Sequence, residues 1–280
     1  MSTSKGRVLV VAGSDSGGGA GIQADLKTVT ALGGYAATAV TALTAQNTLG
    51  VQGILEVAPD FVARQMESVL SDIGADCIKT GMLHNAEVIE AVMDCYERLA
   101  PDTPLVVDPV TVAKSGDVLL EPEASQAFKA RLILRATVLT PNLPEAEFLT
   151  GMTIATPEQM AEAAAMLVTL GPSAILLKGG HLDHPSVHDV LVSEDGIEVF
   201  ESPRIATAHT HGTGCTLASA IAAGIAQGLG VRDSVVRARS YVHQAIATAP
   251  GLGQGHGPLN HGHTVQPFAA EPVAATGTTG

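Results

Sequence analysis

Short apolar runs alternate with segments of helical periodicity along most of this chain, and that alternation constrains its fold more than any other feature. A first apolar run at residues 7–12 ends at Gly13, and residues 22–32 then follow a helical pattern. Later runs at 105–107, 138–140 and 174–177 are each followed or preceded by helical segments. Such alternation with short connections is typical of helices packed on both faces of a parallel sheet. The sequence therefore predicts an α/β fold with a mostly parallel, doubly wound sheet.

The domain organisation follows from the absence of linker-like sequence. No Pro/Gly/Ser-rich stretch divides the chain between Arg7 and Ala249, so residues 1–265 are predicted to form one domain. Residues 190–192 and 197–200, separated by Asp195-Gly196, predict an antiparallel hairpin. Residues 266–280 are small, polar and aperiodic, and we expect a disordered tail there.

Charge and cysteine content limit the partners and the compartment. The 28 acidic residues outnumber the 15 Lys and Arg, for a formal net charge of -13, which argues against attraction to nucleic acid or an anionic membrane. A phosphorylated ligand is compatible with this charge, because backbone N–H groups can hold a phosphate. Three scattered cysteines, with neither a signal peptide pattern nor a membrane-spanning apolar run, predict a cytoplasmic protein.

Polar or glycine residues follow several predicted strands directly. In a parallel sheet the C-terminal strand ends lie along one edge, where ligands bind. We therefore expect a ligand crevice built from residues far apart in sequence, namely Gly13, Gly81, Asp108, Asn142 and Lys178.

The strongest candidate site is the segment Gly212-Thr213-Gly214-Cys215, which precedes an apolar helix. Free N–H groups at a helix start bind anions, and two glycines leave room for a phosphoryl group against the backbone. Cys215 would lie in the first helical turn, where a thiol is expected to have a lowered pKa and to accept a proton from an attacking hydroxyl. The alternative for Cys215 is a small buried packing residue; Cys77 and Cys95 are interpreted in that way.

The remaining candidates each have a structural alternative. Lys178 is either a phosphate contact or an edge residue whose ammonium reaches solvent, and Asn142 is either a ligand residue or a helix cap. Asp108, with Asn142 and Glu145, is a candidate Mg²⁺ site, since Mg²⁺ takes few carboxylates together with phosphate oxygens and water.

Two further features stay open. The loop 13–21 (GSDSGGGAG) is either a flexible turn or a ligand-binding loop, and it fits neither the P-loop nor the dinucleotide fingerprint. His209 and His211 flank the anion site without an assigned role, and the cluster of His256, His261 and His263 is interpreted as a solvated loop without metal.

Seven segments in order resemble the phosphomethylpyrimidine kinase family of thiamine biosynthesis, within the ribokinase-like superfamily. The resemblance extends from about Arg7 to His263. Its segments are AGSDSGGGAGIQADLKT at 12–28, TALTAQNT at 41–48, KTGML at 79–83, VVDPVTVAKSG at 106–116, TPNLPEAE at 140–147, LLKGGH at 176–181 and THGTGCTLASAIAA at 210–223. Thr111, where a Met is frequent, is a small departure next to Val110.

The resemblance implies a ribokinase-like three-layer α/β/α fold, ATP and Mg²⁺ as cofactors, and a homodimer. It implies phosphorylation of 4-amino-5-hydroxymethyl-2-methylpyrimidine and then of its monophosphate. Gln46 would bind the ring nitrogen and amino group, and Gly212 and Gly214 would form the anion hole beside the base Cys215. The other implied roles are pocket lining by Gly13, Asp25, Met82 and Val110, nucleotide-phosphate contact by Lys178, and a metal environment of Asp108, Asn142 and Glu145.

Three alternatives remain at this point. A pyridoxal or pyridoxine kinase would bind a similar hydroxymethyl-bearing ring, and dual activity is compatible with the motifs. A non-catalytic regulator would be expected to lack the glycines or Cys215, and a ribokinase-type sugar kinase would normally carry Asp at position 215.

Overall fold

The computed structural model describes residues 6–110 and 124–269, and a nine-stranded sheet organises them. Thr111 and most of the predicted disordered tail are not among these residues, so those two predictions lie outside the described part of the chain. The strands are β1 (Arg7–Asp15), β2 (Tyr35–Asn47), β3 (Gly50–Glu56), β4 (Cys77–Thr80), β5 (Leu105–Val107), β6 (Val138–Leu139), β7 (Ala174–Lys178), β8 (Ser186–Ser193) and β9 (Gly196–Pro203).

The sheet is parallel at its centre and antiparallel at both edges. Its strand order is β3-β2-β1-β4-β5-β6-β7-β8-β9. The six strands from β2 to β7 in that order pair in parallel, whereas β3, β8 and β9 are antiparallel to their neighbours. The C-terminal ends of the parallel strands therefore share one edge, as we expected from the polar and glycine residues that follow the predicted strands.

Helices cover both faces of this sheet. They are α1 (Gly21–Ala31), α2 (Pro59–Asp72), α3 (Ala86–Leu99), α4 (Ser125–Ala127), α5 (Leu143–Thr150), α6 (Pro157–Val168), α7 (Thr213–Ala226) and α8 (Val231–Ala247). A π-helical turn (Phe128–Leu132) and a 3₁₀ turn (Ile133–Arg135) continue the chain after α4.

The two faces of the sheet bury separate apolar clusters because successive strand side chains point to opposite sides. On β1, Leu9 and Val11 belong to the cluster that also contains side chains of α2, α3 and α6, whereas Val8 and Val10 belong to the cluster with side chains of α1, α7 and α8. The predicted three-layer α/β/α fold is confirmed. In the described part of the chain, no helix is long and apolar enough to cross a bilayer.

Element boundaries differ from the sequence prediction in two places that matter for the site. The pattern of residues 35–42 predicts a strand that ends at Ala42, but β2 continues five residues further because residues 42–47 pair with β3 in antiparallel register. Helix α5 was indicated only by the possible cap at Asn142, without bounds, because the helix is short and starts with Leu143-Pro144. The predicted β8–β9 hairpin is confirmed and is longer than the sequence indicated.

Candidate active site

Helix α7 begins with two glycines that are held in place by close backbone contacts. Gly212 caps the helix with φ +83°, and a Cβ atom there would lie 1.8 Å from the Gly19 carbonyl oxygen. Only glycine fits this position, which joins the helix start to the glycine-rich loop after β1. The first N–H groups of a helix have no intrahelical acceptor, so the α7 start has the geometry that an anion site needs, and anion binding there stays a prediction.

Lys178 and Asp108 lie directly against this helix start. The Lys178 Nζ atom is 2.9 Å from Asp108 Oδ1. A Cβ atom at Gly214 would lie 3.2 Å from Lys178 Nζ and 3.5 Å from Asp108 Oδ2. Burial alone would lower the pKa of Lys178, but the charges of Asp108 and Glu145 outweigh it and raise that pKa. The lysine is therefore a fixed cation next to the α7 start.

Two cavities meet at this point. The first, of about 410 Å³, extends from β1 and β2 to Cys215, and the second, of about 310 Å³, lies between β8, β9 and α8. Both include in their walls Asn142, Lys178, His181, Thr210, Thr213 and Gly214. The shared wall is thus the α7 start with its lysine. We call the first the acceptor cavity and the second the donor cavity.

The acceptor cavity brings together most of the residues expected around the pyrimidine. Gly13, Gln46, Met82 and Val110 all line it, although they come from four separate segments. A Cβ atom at Gly13 would lie 3.0 Å from Met82 Cε, so the glycine leaves room for that side chain. The Gln46 Oε1 atom accepts a hydrogen bond from Thr44 Oγ1 at 3.0 Å, which orients the amide.

Asp25 was expected to line the pocket around the pyrimidine. This expectation is wrong, because Asp25 is not in the wall of the acceptor cavity. Its side chain is fully buried, with Lys79 Nζ 3.0 Å from Oδ1 and Ser219 Oγ donating to Oδ1 at 2.6 Å. Ser219 lies one helical turn after Cys215 on α7, so this ion pair is beneath the cavity floor. Its carboxylate is already satisfied by protein groups and does not face the acceptor.

Cys215 lines the acceptor cavity, but its predicted low pKa is wrong. Burial raises the pKa of the thiol to about 12, and the nearby Lys79 charge offsets only part of this effect. The Gly21 N–H group also faces the sulfur. Sequence alone placed the thiol at a helix start and could not show how little water reaches it.

The protonated state of Cys215 can be measured by alkylation. At pH 7.5 without ligands, we expect Cys215 to react with iodoacetamide more than about 100-fold more slowly than a solvent-exposed thiol of ordinary pKa, because only the thiolate reacts. Mass spectrometry of the Cys215 peptide, with urea-unfolded protein as the control, gives the rate. Equal rates in the folded and unfolded protein would contradict the high pKa.

Asn142 and Glu145 form the start of helix α5. Asn142 Oδ1 accepts from the Glu145 N–H at 2.9 Å, and Glu145 Oε2 accepts from the Asn142 N–H at 2.7 Å. The capping interpretation of Asn142 is therefore confirmed, and both residues also line the acceptor cavity. Within residues 6–110 and 124–269, no group of three or more His, Cys, Asp or Glu side chains forms a metal cage.

Asp15 is a site residue that the sequence interpretation missed. Its Oδ2 accepts from the N–H groups of Gly19 and Ala20 and lies 2.8 Å from His211 Nε2, while Oδ1 accepts from the Gly17 N–H. Burial alone would raise its pKa, but the bonds from His211 and the backbone outweigh this and lower it. The glycine-rich loop is thus a fixed turn folded around one carboxylate. The acid followed by glycines was the available sequence signal.

A mostly parallel sheet between helices, with two cavities that meet at the start of α7, places this chain among α/β proteins of the ribokinase-like fold. The family model described as phosphomethylpyrimidine kinase matches residues 15–260. The chain belongs to the phosphomethylpyrimidine kinase family, a family of phosphotransferases.

Two curated relatives illustrate the match. A thiamine biosynthesis bifunctional protein ThiED of Geobacter sulfurreducens is 53% identical over 92% of this chain, which spans only 52% of that longer protein. A hydroxymethylpyrimidine/phosphomethylpyrimidine kinase of Streptomyces coelicolor is 48% identical, and the match covers 91% of this chain and 94% of the relative.

Solved structures give the same fold. A phosphomethylpyrimidine kinase of Clostridium difficile has a TM-score of 0.77 at 40% identity, covering 86% of this chain and 100% of that one. A pyridoxal kinase of Staphylococcus aureus in complex with AMP-PCP and pyridoxal has a TM-score of 0.84 at 34% identity, covering 92% and 93%.

Proposed function

We propose that this protein transfers the γ-phosphoryl group of ATP to 4-amino-5-hydroxymethyl-2-methylpyrimidine and then to the resulting monophosphate, in thiamine biosynthesis. The observation that carries the proposal is the shared wall of the two cavities. The Gly212–Cys215 helix start and Lys178 lie where a donor in one cavity and an acceptor in the other would meet. Phosphoryl transfer depends mainly on such positioning and on charge stabilisation.

The walls of the donor cavity are suited to binding a nucleotide. Its walls include the aliphatic side chains of Val187, Ile205, Leu217, Val242 and Ile246, which suit an adenine ring. Thr213, Gly214 and Lys178 lie at its inner end, where the phosphates would reach the α7 start. Solved relatives in complexes with ADP and AMP-PCP support ATP as the donor.

Mg²⁺ would be held by few protein groups. Asp108 Oδ1 contacts Lys178 and Thr140, while Oδ2 lies on the Gly214 side, toward the shared wall. Glu145 lies on the same side of the acceptor cavity. The carboxylates of Asp108 and Glu145 fit an ion that is bound through one or two carboxylates and the nucleotide phosphates. Mg²⁺ would neutralise charge on those phosphates.

Cys215 would face the acceptor hydroxyl from the first turn of α7. Because its thiol is protonated at rest, the base role requires that a phosphate oxygen of the bound nucleotide first takes the thiol proton, so that the thiolate can then accept the proton of the acceptor hydroxyl. The helix start and Lys178 would stabilise the transferring phosphoryl group. A non-catalytic binder of ATP would also use the helix start and Lys178, but it would not need Cys215 beside them.

Gln46 would form hydrogen bonds with the edge of the aminopyrimidine ring, since its amide offers one donor and one acceptor side by side. We expect Gln46→Leu to raise the KM for the pyrimidine alcohol roughly 10- to 100-fold, because two hydrogen bonds are lost at about 1 kcal/mol each. The KM for ATP should stay within about twofold. Steady-state ADP release at varied alcohol gives both constants.

Gln52→Leu is the matched control for this change. Gln52 is an exposed residue on β3 whose amide contacts Asn47 and Gly50 outside the cavity. We expect its kinetics to equal those of the unmodified protein. An unchanged KM for the alcohol in the Gln46→Leu protein would show that Gln46 does not recognise the ring.

Pyridoxal is the second candidate acceptor, because the similar structures include pyridoxal kinases at 34–36% identity. Comparing kcat/KM for the pyrimidine alcohol and for pyridoxal with ATP separates the two functions. We expect the pyrimidine to be preferred. Efficient turnover of pyridoxal together with none of the pyrimidine would reverse the proposal.

We also propose a homodimer in the cytoplasm. The β2–β3 hairpin exposes Leu43, Leu49 and Leu55 at the sheet edge, and exposed apolar clusters of this kind mark interaction surfaces. Three free cysteines and an ATP donor suit a reducing compartment. Light scattering after size-exclusion chromatography should give twice the 28.5 kDa chain mass.

A further inference from the structure

His211 has a position in the acceptor cavity that the proposed chemistry of the first phosphorylation does not use. Its ring lies in the wall of that cavity and not of the donor cavity. The Nε2 atom is 2.8 Å from Asp15 Oδ2. Asp15 has a lowered pKa and already accepts three backbone N–H groups, so it is a carboxylate, and His211 Nε2 must carry the proton between them.

The other ring nitrogen of His211 is left for a ligand. Among the described residues, none forms a hydrogen bond with Nδ1. Gly19 packs against the opposite edge of the ring, where a Cβ atom would lie 2.5 Å from Cδ2. The ring is therefore fixed from the Asp15 side.

The second phosphorylation poses a problem that the first does not. Its acceptor is a phosphate monoester carrying one to two negative charges near neutral pH, in a chain with a net charge of -13. The N–H groups of Gly17, Gly19 and Ala20 are occupied by Asp15. The glycine-rich loop therefore cannot use these donors for the acceptor phosphate.

Few cations in the described residues can balance that charge. The cationic or titratable basic side chains in the acceptor wall are Lys178, His181 and His211. Lys178 and His181 also line the donor cavity, and Lys178 is paired with Asp108. His211 is the member of this set that belongs to the acceptor cavity alone.

We propose that His211, held by Asp15, binds the phosphate of the pyrimidine monophosphate and makes the second phosphorylation possible. One proton lies between Nδ1 and a phosphate oxygen, supplied by either the imidazolium or the phosphate monoanion, while Asp15 balances the imidazolium charge. No bond to His211 is formed or broken. The inference rests on the proposed function, since it needs a monophosphate acceptor.

The test compares the two acceptors in His211→Gln, an uncharged replacement. We expect KM for the monophosphate to rise roughly 10- to 100-fold, as loss of a charged hydrogen bond predicts, with KM and kcat for the alcohol within about threefold. The control is Lys27→Gln, which removes a cation from the outer side of the same loop, where Lys27 contacts the Gly18 carbonyl. It should leave both reactions unchanged.

Two results would overturn the inference: an equal loss with both acceptors, as for a base or a structural residue, or no loss with either. The unmodified protein is assayed first. If it phosphorylates the alcohol but neither binds nor phosphorylates the monophosphate, the second step of the proposed function fails, and the inference fails with it.

A second measurement does not depend on the variant folding. In the unmodified protein labelled with ¹⁵N-histidine, adding the monophosphate without ATP should shift the Nδ1 resonance of His211, assigned with the variant, and adding the alcohol should not. An unchanged Nδ1 resonance at saturating monophosphate would contradict direct binding.

Discussion

Replacing Cys215 by alanine lowers kcat for the pyrimidine alcohol by about 100-fold or more, if the thiol accepts the hydroxyl proton as proposed. The expected KM values stay near those of the unmodified protein, because alanine keeps the α7 start open and leaves Gln46 and Lys178 in place. Single-turnover phosphorylation with saturating ATP measures the chemical step directly.

Cys95→Ala is the matched control for the Cys215 change. Cys95 is buried on α3, away from both cavities, so its replacement should leave kcat within about twofold. A Cys215→Ala protein with a normal single-turnover rate would exclude the base role. The alkylation rate of Cys215 would then still report its protonated state, since the raised pKa comes mainly from desolvation and does not depend on a role in catalysis.

Replacing Lys79 by methionine destabilises the fold by about 3–5 kcal/mol, the cost of leaving a buried charge without its partner. The Lys79 and Asp25 side chains are both fully buried. Burial raises the pKa of Asp25, and the charge of Lys79 opposes this shift. Without Lys79, Ser219 is the hydrogen-bond donor to this carboxylate that remains among the described residues, and it is neutral. Urea unfolding followed by circular dichroism gives the free energy of unfolding.

The control for this loss is an exposed ion pair. Arg64 and Asp60 form an i, i+4 pair on the surface of α2, and Arg64→Met should cost less than about 1 kcal/mol. The double variant Lys79→Met/Asp25→Leu should recover much of the lost stability, because no buried charge remains. A Lys79→Met protein that loses under 1 kcal/mol would show that water reaches the pair.

Local patterns in the sequence predicted the fold and part of the cavity walls, whereas Gln46, Met82 and Val110 were expected there only from the family resemblance. Strand–helix alternation specified the parallel sheet, and strand-end positions placed Asp108, Asn142 and Lys178 at one edge. The two glycines before an apolar helix indicated the α7 start, where the structure adds the close approach of Gly212 to the Gly19 carbonyl.

Other features depend on which side chains are buried in the folded protein, and no local sequence pattern predicts that. The thiol of Cys215 is half-buried in the cavity wall, and desolvation by the surrounding protein raises its pKa, so it keeps its proton. The carboxylate of Asp25 is fully buried and pairs with Lys79 instead of facing a ligand. Asp15 binds groups in its own loop and His211, which is distant in sequence. That contact exists only once α7 packs beside β1.

A crystal structure with AMP-PCP, Mg²⁺ and the pyrimidine alcohol tests the central claim most directly. We predict that the nucleotide binds in the donor cavity, with its γ-phosphate within hydrogen-bonding distance of the Gly214 N–H and of Lys178 Nζ. We also predict that the hydroxymethyl group of the alcohol faces Cys215 and that its ring edge contacts Gln46. A γ-phosphate bound away from the α7 start, or an alcohol outside the acceptor cavity, would contradict it.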